Sequence, residues 1–249
     1  MERIIREGYR FRQDICIPCY QTDSNSLLQP AAFLDMAQEM AYWGAAALGF
    51  GYEDLHVHGT AWVLSRMHVR FGKHPVWRDN VSLYTWHKGM DGIFALRDFR
   101  MDDSGGNPIV TATSSWLVIN VSTRRIVRAE ELEERLKTDG PVPDAIPDRA
   151  PKIIVPRDVP AEEVATRRVS YSDIDVNGHT NNARYIVWAM DAIPYEVTSK
   201  RPVKDLCVNF NRETLPEDEI LLVRFPVGDG FIIEGRLEDK SAFTVKVTF

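Results

Sequence analysis

The run Ser172-Asp173-Ile174-Asp175-Val176-Asn177-Gly178-His179-Thr180-Asn181-Asn182-Ala183-Arg184-Tyr185 crowds carboxylates, amides and an imidazole into one short segment. Asn177-Gly178 suits a tight turn, because glycine takes positive φ at little cost. An apolar helix follows. Its N-terminus offers unpaired backbone N–H groups and partial positive charge, which stabilise an oxyanion forming on a carbonyl. Asp, Asn and Ser ahead of a helix usually cap it, and His179 alone reads as a turn histidine. One cap needs one such residue; the redundancy here marks a candidate site built on Asp175, Asn177 and His179. Glu213, in Asn211-Arg212-Glu213-Thr214, reads on its own as an exposed strand carboxylate or the ion-pair partner of Arg212. Cys16 and Cys19 have zinc-like spacing, but no second pair completes four ligands, so they read as reduced thiols on an early strand.

Two similar blocks of elements must position these groups. A polar turn at 22–26 precedes a helix over about 30–48, with Pro30 suited to its first turn. The run at 172–179 precedes a second helix over about 182–193, stopped by Pro194 and apolar almost all round, which places it in an interior. Each helix is followed by segments alternating with period two. Met67, Val69 and Phe71 oppose Arg66, His68 and Arg70, and Phe243, Val245 and Val247 oppose Thr244 and Lys246. Further strands fit 81–88, 93–101, 109–120, 206–213, 219–226 and 231–237, and Asp102 to Pro108 is a hairpin turn. The repeat, at an offset of about 150 residues, predicts an α+β fold. The expected architecture is a double hotdog, an antiparallel sheet wrapped around two long central helices.

Six of the fourteen prolines fall between 141 and 160, so that stretch is expected to be an extended linker over the surface. It separates an N-terminal unit, 1–140, from a C-terminal unit, 161–249, with a short charged helix at 129–137 before it. The length suits two domains, and 44% hydrophobic with 27% charged residues argues against disorder. A net charge of −6 gives no footprint for nucleic acid. No apolar run is long enough to cross a bilayer, and residues 1–7 lack a secretory pattern, so no membrane partner and a cytoplasmic location are expected.

From Trp188 back to Ser172 the chain resembles the signature of plant-type acyl-acyl carrier protein (acyl-ACP) thioesterases, in which Asp-x-Asn-x-His-x-Asn-Asn precedes the second helix. Val208-Asn209-Phe210-Asn211-Arg212-Glu213 resembles that family's strand ending in Arg-Glu-Cys. Trp62 to Met67, Pro75 to Asp79, Thr113 to Asn120 and Thr123 to Arg125 follow the family in order. The resemblance implies that Asp175, Asn177, His179 and Glu213 are catalytic. The family's cysteine is Thr214 here, which leaves no thiol nucleophile, so Glu213 is expected to act as a base on water. Asn177 and His179 would position that water and polarise the carbonyl, while Asp175 holds the turn. The implied reaction hydrolyses fatty acyl-ACP to free fatty acid and carrier thiol, with no cofactor and no metal. The implied partner is an acyl carrier protein. A double hotdog contains its own pseudo-dimer, so a monomer and a homodimer through exposed sheet edges are both open.

The first unit is expected to hold the acyl chain, with Phe33, Met36, Met40, Trp43, Trp62, Leu64 and Met67 as lining candidates. Arg66, Arg70, Lys73, Arg124, Arg125 and Arg184 are candidates for docking the carrier. Three rivals remain: an acyl-CoA thioesterase, a hotdog hydratase and a non-catalytic acyl-binding protein. The hydratase pattern Asp-x-Asn-Pro-x-His spaces its histidine five after the aspartate. His179 follows Asp175 by four.

Overall fold

A computed structural model describes residues 4–127 and 142–249. The helix expected at 129–137 lies outside them. Among the described residues eleven strands form one sheet, antiparallel at every pairing: β1 (Ile5–Glu7), β2 (Arg10–Cys16), β3 (Thr60–Phe71), β4 (Asn80–Asp91), β5 (Phe94–Asp102), β6 (Pro108–Asn120), β7 (Glu162–Arg168), β8 (Asp205–Phe210), β9 (Glu219–Val227), β10 (Gly230–Leu237) and β11 (Lys240–Thr248). The order across the sheet is β1-β2-β4-β5-β6-β3-β8-β11-β10-β9-β7. Read outward from the centre, β3-β6-β5-β4-β2 repeats as β8-β11-β10-β9-β7, so the two halves share one topology. They meet where β3 pairs β8, with Met67 opposite Val208.

Among the described residues the helices are α1 (Pro30–Ala46), α2 (Tyr52–Val57), α3 (Asn182–Asp191) and α4 (Tyr195–Thr198). Pro30 opens α1 as expected, since its missing N–H costs nothing there. Seventeen residues make α1 about 26 Å long, whereas the ten of α3 span about 15 Å. One helix is therefore long and the other is three turns. Nor is α3 apolar on every side: Ala183, Tyr185, Ile186, Trp188 and Ala189 are buried, while Val187 and Met190 are half-buried and Asp191 is exposed. The two helices pack on each other, and a single core joins Phe33, Met40 and Val69 from one half with Ile186, Val208 and Val245 from the other.

The strand expected at 206–213 ends at Phe210, which leaves Asn211 to Thr214 as a turn. β7 and α2 were not foreseen. β7 is charged on both faces and carries no period-two signal, and α2 is shorter than two helical turns. The described part of the proline-rich stretch has no helix or strand, yet it does not merely skim the surface: Ile146, Ala150 and Ile153 are buried. Polar staples fix it, with Ala145 N donating to Asp98 Oδ2 (2.7 Å), Trp86 Nε1 to the Pro143 carbonyl (3.0 Å) and Asn209 Nδ2 to the Pro151 carbonyl (2.9 Å). No helix among the described residues is long and apolar enough to cross a membrane.

Candidate active site

The run ahead of α3 folds into a closed turn. Ile174 bridges Thr180, Asp175 N donates to the His179 carbonyl (2.9 Å), and Gly178 N donates to the Asp175 carbonyl (3.0 Å). Gly178 has φ +76°, the left-handed region where a side chain is strained. The Asp175 carboxylate braces the turn from inside. Oδ1 accepts from Asn177 N (2.8 Å) and from His179 N (3.4 Å), and Oδ2 accepts from Asn177 Nδ2 (3.4 Å). The cap of α3 is Asn181, whose side chain accepts from Ala183 N (2.8 Å). Capping is thus done by another residue, and Asp175, Asn177 and His179 are not used for it.

Glu213 arrives from the turn after β8. His179 Nε2 lies 3.5 Å from Glu213 Oε2, a direct approach with no room for a water between them. The ion-pair partner of Glu213 is Arg124 and not Arg212: Arg124 Nη1 and Nη2 donate to Glu213 Oε2 and Oε1 at 3.0 and 2.8 Å. Arg212 faces Glu238 instead, at 3.5 Å. A carboxylate has about four lone-pair sites, so this two-pronged contact fixes Glu213 and leaves acceptor capacity free. Arg124, expected among the docking charges, is spent on the site.

Beside the turn lies a cavity of about 220 Å³. α1 contributes Gln38, Ala41, Tyr42 and Ala45, and α2 with its approach contributes Phe50, Tyr52 and Leu55. The sheet contributes Trp62, Leu64, His87, Ala95, Arg97 and Trp116. Asp175, Asn177 and Asn182 line it from the second half, whereas His179 and Glu213 are not among its lining residues. Asn182 Nδ2 donates to Gln38 Oε1 (3.1 Å), which ties the two helices at this wall.

The comparisons with known proteins decide the family. Residues 8–135 match the acyl-ACP thioesterase N-terminal domain and residues 157–241 match the acyl-ACP thioesterase C-terminal domain. The chain belongs to the acyl-ACP thioesterase family. A curated relative, the chloroplastic oleoyl-acyl carrier protein thioesterase 2 of Arabidopsis thaliana, is 28% identical over 87% of this chain and 63% of its own length. The chain therefore spans about three fifths of that relative. An acyl-ACP thioesterase of Bacteroides thetaiotaomicron superimposes with a TM-score of 0.83 at 26% identity, covering 97% of this chain and 98% of its own. The 12:0-ACP thioesterase of Umbellularia californica gives 0.84 at 21% identity, covering 98% of each chain, a likeness of fold.

Against the family pattern, Thr214 is fully buried and not presented to the cavity. Its hydroxyl lies 2.6 Å from Thr180 Oγ1 and 2.9 Å from the Tyr185 hydroxyl, and its carbonyl accepts from Thr180 N (3.0 Å). These bonds lash the residue after Glu213 to the residue after His179, so the Thr180–Thr214 contact sets the His179–Glu213 approach.

Of the lining candidates, only Trp62 and Leu64 face the cavity. Phe33, Met36, Met40 and Met67 are plain core, and Trp43 is exposed with its indole donating to Glu39 Oε1 (2.6 Å). The cavity lies along the 38, 41, 42 and 45 stripe of α1, spaced i, i+3, i+4, i+7, while 33, 36 and 40 form the stripe that meets the core. Arg97 and His87 were missed entirely. A single arginine and a single histidine on strands carry no sequence pattern. His68, Asp205 and Cys207 also meet unexpectedly across β3 and β8, with His68 Nε2 2.7 Å from Asp205 Oδ2. Burial pushes the Cys207 thiol up to about 12, which keeps it neutral and a poor ligand.

Proposed function

We propose that the chain hydrolyses the thioester of fatty acyl-ACP, releasing a free fatty acid and the carrier thiol. The observation that carries this reading is that Asp175 and Asn177 stand in the wall of a mostly apolar cavity while His179, from the same turn, is in direct approach to Glu213. Family membership supplies the substrate class. The acyl chain enters the cavity and its carbonyl rests near Asn177. A water oxygen attacks the carbonyl carbon while Glu213 takes its proton. Asn177 Nδ2 and the His179 ring steady the developing oxyanion. Collapse of the adduct breaks the C–S bond, and the leaving thiolate recovers the proton from Glu213. Water has to enter beside the His179–Glu213 pair, on a carboxylate lone pair that Arg124 leaves free. Asp175 acts on the turn and not on the substrate.

Two hotdog units, each laying its part of the sheet over one helix, account for the repeated topology. On this reading 1–140 is the acyl-binding unit and 161–249 the catalytic one, with 141–160 as the connection. Among the described residues, all but Asp175, Asn177 and Asn182 of those lining the cavity come from the first unit, which supports that division. The test is thiol release from acyl-ACPs of graded length by the wild-type chain, Glu213→Ala and His179→Ala. Turnover surviving both substitutions unchanged sinks the mechanism. No release from any acyl-ACP sinks the reaction.

A further inference from the structure

The turn that carries Asp175, Asn177 and His179 has a twin ahead of α1. Thr22 bridges Leu28 there as Ile174 bridges Thr180. Asp23 N donates to the Leu27 carbonyl (2.8 Å) and Ser26 N to the Asp23 carbonyl (3.0 Å). Asp23 Oδ1 accepts from Asn25 N (2.8 Å) and Leu27 N (2.9 Å). Each bond repeats one made within 175–179. Behind the twin, Leu28 N donates to the Pro75 carbonyl (2.9 Å), as Thr180 N does to that of Thr214 (3.0 Å). Position for position, Leu27 stands where His179 does, and His74, one before Pro75, where Glu213 does. The fold builds the turn twice, and only the second copy carries the imidazole and carboxylate pair.

A second difference lies just beyond the turn, in three amide side chains. Asn181 Oδ1 accepts from Ala183 N (2.8 Å), so the atom there is the oxygen. Gln38 therefore turns its Nε2 to Asn181, at a long 3.4 Å, and its Oε1 to Asn182, whose Nδ2 donates at 3.1 Å. Any other orientation of Gln38 would set oxygen against oxygen. The backbone N–H of Asn181 is held too, by the Asp173 carbonyl (2.8 Å). Counted from the twin bridges, the matching positions are Gln29, Pro30 and, on α3, Met190. Neither Pro30 nor Met190 has an amide side chain, and Gln29 makes no cap of α1. The clasp is missing from the copy that lacks the imidazole and carboxylate, although that turn closes equally well. Closing the turn does not require it.

We propose that Gln38 is a positioning residue for the hydrolysis. Through Asn181 and Asn182 it sets the distance between the cavity wall on α1 and the turn bearing Asn177 and His179. Gln38 opens the α1 stripe that faces the cavity, and Asn177 and Asn182 face the same cavity from the second half. From Asn181 the chain leads back through Thr180, tied to Thr214, to His179. The inference rests on the thioesterase reading and names the residue of the first half that holds the second in place. A chain lying along α1 brings its carbonyl to Asn177 only while the two helices keep this spacing. Misplacement by about 1 Å costs up to about 10²-fold in rate.

The experiment measures kcat and KM separately for acyl-ACPs of graded length. Gln38→Met keeps the length of the side chain and removes its amide. Its kcat is expected to fall about 10- to 100-fold at every acyl length, with KM almost unchanged. Gln38→Glu keeps the acceptor for Asn182 and loses the donor to Asn181, so its kcat should lie between those of the wild type and Gln38→Met. Asn182→Leu should lower kcat in the same way, and the double variant with Gln38→Met should be no slower than the slower single one. Losses that multiply overturn the clasp, as does an unchanged kcat in Gln38→Met. A KM that climbs with acyl length at constant kcat makes Gln38 a plain wall residue and overturns the positioning role. Backbone amide NMR spectra need no substrate. Gln38→Met should shift the signals of Asn177 and His179, to which Gln38 makes no hydrogen bond. Signals that stay in place refute the inference even where no acyl-ACP is hydrolysed and the thioesterase reading itself has failed.

Discussion

Glu213 gathers two roles at one carboxyl group, a base for water and the anion of an ion pair with Arg124. Both partners of that pair are about half exposed, and exposed pairs contribute only about 0–1 kcal/mol. Glu213→Gln should therefore leave thermal unfolding almost unmoved while kcat falls about 10²–10⁴-fold, measured by thiol release. A parallel loss of stability would recast Glu213 as structural. Asn177→Ala is expected to lower kcat about 10²–10³-fold if its amide holds the oxyanion. Asp175 and Asn177 were legible in the sequence because Asx side chains bond their own turn, a local interaction. The pairing of Glu213 with Arg124 was not, because 89 residues separate them and folding alone decides which arginine is near.

At the scale of elements, the turn before α3 and the turn after β8 act as one unit through three hydroxyl groups. Thr214→Val would leave Thr180 Oγ1 and the Tyr185 hydroxyl short of a buried partner, at a cost of about 1–3 kcal/mol. Urea unfolding should show that loss, and kcat should fall with it as the His179–Glu213 approach slackens. A variant as stable as the wild type would show that the cluster holds nothing. The strands following each helix were readable from their alternation, and α1 from its proline and length. α3 was read as longer and more deeply buried than it is. An apolar residue such as Val187 reports hydrophobicity, not which face the neighbouring elements cover.

Across the whole molecule, the buried titratable groups predict how stability follows pH. His87 has a folded pKa of about 4 against 6.5 when unfolded, so the unfolded chain binds its proton first as pH falls. Stability should drop below pH 6.5 and continue dropping to about 4, by about 2 kcal/mol between pH 7 and pH 5. Denaturant unfolding of His87→Gln should lack that limb; an unchanged limb assigns the proton elsewhere. Cys207, raised to about 12 from 9, works on the alkaline side. The unfolded thiol ionises first, and stability declines as pH climbs past 9. The sheet ends on β1, three residues long, and on β7, which carries Glu162, Glu163, Arg167 and Arg168. Short and charged edges resist pairing, so the chain is expected to elute as a monomer in light-scattering chromatography.

By itself the sequence determined the repeat, most of the strands, the turn at 175–178 and the family. All of these rest on local periodicity and contiguous motifs, which survive in one dimension. Only the tertiary structure decided that Arg124 clasps Glu213, that Thr214 is a buried tie and that the 38–45 stripe of α1 faces the cavity. It also placed Arg97 and His87 in the cavity wall. Each of these depends on which distant side chains are packed together and which charges lose their water, and neither is written in any one segment.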